Sequence, residues 1–68
     1  MTEEAAADAL AFAMHLRRKR RRMARLLRDQ GADATAIAWA DVEVNLAEDV
    51  VARLTAQLMR ERQPSHNS

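Results

Sequence analysis

The chain has no cysteine, no tyrosine, one glycine, one proline, one tryptophan and one phenylalanine in 68 residues. Each scarcity excludes something. Without cysteine there is no disulfide and no thiolate metal site to staple so short a chain. Gly31 and Pro64 alone are too few turn formers for a sandwich or barrel, whose strands need turn signals every ~8–12 residues. The apolar run Ala9–Met14 is far below the ~20 residues of a bilayer span. The first residues are acidic (Glu3, Glu4, Asp8), where a secretory signal is basic. A cytoplasmic location is therefore expected.

Catalytic chemistry is also missing. There is no glycine-rich phosphate loop and no cysteine nucleophile. Neither His15 nor His66 has a Glu three residues before it, as a helical di-iron site requires. Ser65 and Ser68 lie in the tail without a plausible base. The expectation is a non-enzyme with no cofactor, no bound metal and no small-molecule substrate.

What is present is alanine, leucine and arginine, which favour helix. Arginine outnumbers lysine ten to one, a usage that points to a GC-rich genome, bacterial or phage. Net charge is only +1, unevenly spread. Residues 1–31 carry eight basic and four acidic groups; residues 32–68 carry three basic and six acidic. Opposite signs in the two halves suggest that the halves face each other.

Thr2 before Glu3 and Glu4 is a helix start: a capping hydroxyl, then acids at the positive end of the helix dipole. Nothing interrupts until Gly31, which suits a helix end. Asp33 is an N-cap for a second helix, stopped by Pro64. The spacing predicts one domain over 1–63, with helix 1 about 3–30, a turn at 31–33 and helix 2 about 34–62. Residues 64–68 read as a polar tail. Helices of ~40 Å joined by so short a turn must be antiparallel neighbours, a helical hairpin.

A seam of period three and four runs down helix 2 through Ile37, Ala40, Val44, Ala47, Val51, Leu54 and Leu58. On helix 1 the same test selects Ala9, Phe12, Leu16, Lys19, Met23 and Leu26. Residue i is then expected roughly opposite 64−i. Lys19 and Arg20 should therefore reach Asp41, Glu43 and Glu48 as register-setting charge pairs.

Two further surfaces are left over. Arg17, Arg18, Arg21, Arg22, Arg25 and Arg28 are expected to form an arginine stripe away from the seam. Trp39, Val42, Leu46 and Val50 form a second apolar stripe on helix 2, with Leu10 and Met14 expected to support it. A second stripe calls for a second partner.

The sequence thus predicts a small all-α protein-protein interaction module, an adaptor, assembly factor or inhibitor. It would pair with itself as a four-helix-bundle homodimer or dock on a larger protein. The alternative is a nucleic-acid-binding helical dimer that lays the Arg17–Arg28 stripe on phosphates. Helix-turn-helix and basic-zipper patterns do not fit two long antiparallel helices.

Overall fold

The computed structural model describes residues 2–62. Two helices account for nearly all of them: α1, Glu3–Asp29, and α2, Ala34–Arg62. Each end has a chemical cause. The Thr2 hydroxyl accepts from the Ala5 N–H at 3.1 Å, satisfying one of the orphan donors of the first turn. The Asp33 carboxylate does the same for the Ala36 N–H at 2.8 Å.

Between them, Gly31 takes φ +70°, the left-handed conformation that costs a side chain but not a glycine. Its N–H donates to the Arg28 carbonyl at 3.1 Å, and the Ala32 N–H donates to the Leu27 carbonyl at 2.9 Å. Those two bonds form a Schellman stop. Helix 1 thus ends at Asp29, one residue earlier than expected, because Gln30 is the cap. The expected stop at Pro64 and the polar tail 64–68 lie outside the described residues, as do His66, Ser65 and Ser68.

The helices run antiparallel as a hairpin one layer thick. The Cα trace is only 19 × 14 Å in cross-section. On α2 the buried residues are Ala40, Ala47, Val51 and Leu58, with Ile37, Val44 and Leu54 half-buried. Every expected seam position of α2 is therefore covered.

On α1 the seam is rotated by one residue from the expected one, so that of the expected positions only Ala9 and Leu16 are half-buried. The buried residues are Ala6, Ala13 and Ala24. Half-buried Leu10, Arg17, Arg20 and Leu27 fill the gaps, again with three-and-four spacing. Phe12 is 66% exposed, Met23 and Leu26 are exposed, and Lys19 stands in water. Helix 1 carries two heptad frames, and the frame with small residues faces α2. Ala24 lies at the level of Ala40, and Ala47 at the level of Arg17 and Arg20, so small residues on at least one helix leave room at both levels. The long stems of Arg17 and Arg20 can lie along the neighbour while their heads reach outward.

The core that results is thin. Five of its seven buried residues are alanines. A buried methyl contributes only ~0.8 kcal/mol, so this seam defines geometry more than it supplies stability.

Candidate docking face and arginine edge

A one-layer hairpin has two broad faces and two edges, and its side chains sort between them. Leu16 of α1 shares a shallow groove with Leu46 and Val50 of α2, over Ala47. Arg20 and Glu43 bridge this groove at 2.9 Å. At 100° per residue, Phe12 and Met23 fall on the same side of α1 as Leu16, and Trp39 on the same side of α2 as Leu46. This broad face therefore collects the large apolar side chains that the alanine seam excludes. Trp39 is 66% exposed and Leu46 61%. Val42 lies farther round α2, where it lines an outer hollow with Ala34, Thr35, Ala38 and Trp39.

The opposite broad face is laced by charge. Arg21 pairs with Glu48, Arg28 with Asp41 at 2.6 Å, and Arg62 with Glu3 at 3.1 Å. Paired positions across the hairpin have residue numbers adding to between 63 and 69, close to the expected register. All these side chains are 41–61% exposed, so the pairs align the helices and add little stability.

The charge partners are partly those expected and partly not. Arg20, Asp41, Glu43 and Glu48 are engaged. Lys19 is in no ion pair among the described residues; its one-residue displacement from the seam turns it outward. Arg21 and Arg28, expected on the spare stripe, hold carboxylates of α2 instead.

The arginine stripe is correspondingly narrower. Arg17 lies half-buried at the seam, and its Nε is buried without a hydrogen-bond partner. Arg18, Arg22 and Arg25 remain on the outer edge of α1, where they surround a shallow depression with Arg21. His15 and Lys19 continue that edge beside Arg18 and Arg22. No carboxylate pairs with Arg18, Lys19, Arg22 or Arg25 among the described residues.

Leu10 and Met14 do not join the apolar face. Both are half-buried, and they lie about 120° and 160° round α1 from Leu16, toward the ion-paired side. In their place stand Phe12, Leu16, Met23 and Leu26, which sequence reasoning had put inside. The signal was available: a heptad frame made of alanines is a competent close-packing seam, so the frame holding Phe, Leu and Met was free to face out.

Among the described residues no group of three His, Cys, Asp or Glu could hold a metal ion, and no helix is long and apolar enough to cross a membrane. Comparison of the chain with protein-family models, with curated proteins and with solved structures finds no match.

Proposed function

We propose that this protein is a non-catalytic interaction module that docks through the broad face carrying Leu16, Met23, Trp39, Leu46 and Val50. One observation carries the reading: five of the seven buried residues are alanines, while both aromatics and the large side chains Met23, Leu26, Val42, Leu46 and Val50 stand exposed. An exposed contiguous apolar patch on a small chain marks an interface. Trp39 is the natural anchor, since a large amphipathic ring gives much contact at little entropic cost. The face is a joint, and the ion pairs on the opposite side keep it presented in one register.

The test is association of purified protein with its partners, compared between the wild type and Leu46→Asp. A carboxylate at the centre of the face should abolish association while leaving circular dichroism helical. Association that survives Leu46→Asp unchanged would sink the reading.

A second reading rests on Arg18, Lys19, Arg22 and Arg25, which have no carboxylate partner among the described residues and share one edge with His15. Such an edge suits phosphates. It is the weaker reading, because two arginines of the original stripe already serve α2 and no aromatic interleaves the rest. Nucleic-acid affinity measured against salt separates the two: phosphate contacts weaken steeply as salt rises, whereas an apolar joint does not.

A further inference from the structure

We infer that the occupant of the apolar face is a second copy of this chain, packed face to face with its turn at the opposite end. The inference rests on the docking reading above and adds the partner and its orientation.

The area fits. Phe12, Met23, Leu26, Trp39, Leu46 and Val50 are each 43–66% exposed. At about 200 Å² per large side chain they leave on the order of 650 Å² of apolar surface uncovered. A stable interface takes about 800 Å² from each partner, and in homodimers about 65% of it is apolar. One additional copy is enough to cover the face.

The face is also self-complementary, as a two-fold interface must be. On α1 the outward stripe pairs apolar with apolar at two of its three levels about a point between Leu16 and Lys19, and at the central level it sets Leu16 against the aliphatic stem of Lys19 of the second copy. Phe12 then lies opposite Met23 of the second copy, and Ala9 opposite its Leu26. On α2 the matching point is 48, midway between Leu46 and Val50. About that point Leu46 meets Val50 of the second copy, Glu43 meets its Arg53, and Trp39 lies over the stem of its Gln57.

These two centres coincide in space. Their positions, 17.5 and 48, add to 65.5, inside the 63–69 range that the cross-hairpin ion pairs define as one level. A single two-fold axis across the hairpin therefore serves both helices. It yields a four-helix bundle in which every neighbouring pair is antiparallel.

The charges agree with this setting. Glu43 is the one acid in the middle of the face, beside Arg20 of its own chain, and it receives Arg53 from the second copy, whose long, exposed pair with Asp49 of its own helix at 3.3 Å is weak enough to be shared. The same axis stacks α1 on α1, so the outer edges holding Arg18, Arg22 and Arg25 fall on one flank of the bundle. A tight apolar joint must overcome that like-charge contact, and added salt then helps association by screening.

The experiment is sedimentation of the full chain, followed by electron-electron distance measurement on Gln30→Cys carrying a nitroxide label. The chain has no other cysteine. A dimer with labels about 40 Å apart is expected, since each turn lies some 12 residues from the axis at 1.5 Å per residue. Labels closer than about 25 Å would place the turns at one end and overturn the arrangement. A monomer at every concentration tested, or a dimer that forms only with added nucleic acid, would overturn the second copy as occupant. In that case Leu46→Asp still decides separately whether the face docks any other protein. A charge-reversal pair gives an independent check: Glu43→Arg should weaken the dimer at least tenfold, and adding Arg53→Glu to the same chain should restore most of that loss.

Discussion

Arg28 near the end of α1 holds both carboxylate oxygens of Asp41 on α2, at 2.8 and 2.6 Å, across a turn that reverses the chain between them. The pair sits thirteen residues apart in sequence and fixes the level at which the helices meet. Its side chains are 52% and 43% exposed, so solvent screens most of the Coulomb energy. A double-mutant cycle with Arg28→Gln and Asp41→Asn should give a coupling of about 0.2–1 kcal/mol, read by chemical denaturation. A coupling well above that range would mean the pair carries stability and not only register.

The alanine seam makes an opposite kind of prediction. Ala47 is 7% exposed and sits on the groove floor between the helices. Ala47→Leu inserts three carbons into this covered position and should cost about 1–3 kcal/mol. In a domain this small that lowers the melting temperature by roughly 4–8 °C per kcal/mol. Ala38→Leu on the outer side of α2 adds the same three carbons in open surroundings and should change stability by less than about 0.5 kcal/mol. Equal effects at both positions would mean the helices are not closely packed at Ala47.

Much of this architecture was legible from residues alone. Thr2, Gly31 and Asp33 announced the helix ends, because capping chemistry is local and needs no tertiary context. The α2 seam was legible because one frame is apolar throughout. Helix 1 misled because two frames compete, and the rule that large apolar residues go inside favours the wrong one. Lys19 was the warning: a lysine at a seam position is a poor knob, whereas Ala13, Arg17, Arg20 and Ala24 form a seam that small residues and flexible stems can fill. The same one-residue rotation moved Leu10 and Met14 off the apolar face and drew Arg21 and Arg28 into ion pairs.

Arg17 should be replaceable to advantage. Its Nε is buried without a hydrogen-bond partner, in a seam that is otherwise aliphatic apart from Arg20. A buried donor left unpaired costs about 1–3 kcal/mol. Arg17→Met keeps the stem, removes the donor, and should raise the melting temperature by several degrees. A drop instead would show that the guanidinium makes a contact worth more than the desolvation it suffers.

Gly31 should tolerate nothing bulkier without loss, although it has room. A Cβ there would meet no atom within 4 Å, so any cost is backbone strain alone. At φ +70° that strain is about 1–2 kcal/mol for an ordinary residue. Gly31→Ala should therefore destabilise the hairpin by about 1 kcal/mol, and Gly31→Asn by less, since asparagine visits this conformation more readily. Thermal melts of the two variants side by side check the order. An Ala variant as stable as the wild type would mean that the turn can relax out of the left-handed conformation.

The arginine edge gives the sharpest contrast between the two functional readings. Replacing Arg18, Arg22 and Arg25 with Gln removes three exposed charges that pair with no carboxylate among the described residues and leaves the cross-hairpin pairs of Arg20, Arg21 and Arg28 in place. Folding should be unaffected, within about 0.5 kcal/mol. If the apolar face is the working surface, self-association of this variant at low salt should be tighter than that of the wild type, because the two basic edges no longer repel across the bundle. The difference should close as salt approaches 1 M, where the Debye length falls to about 3 Å. If phosphate binding is the work of this edge, the same variant should lose nucleic-acid affinity, and the slope of log affinity against log salt should shrink by up to about three for duplex DNA. The two measurements on one variant move in opposite directions, so the result assigns the edge either to an electrostatic brake on the dimer or to a nucleic-acid grip.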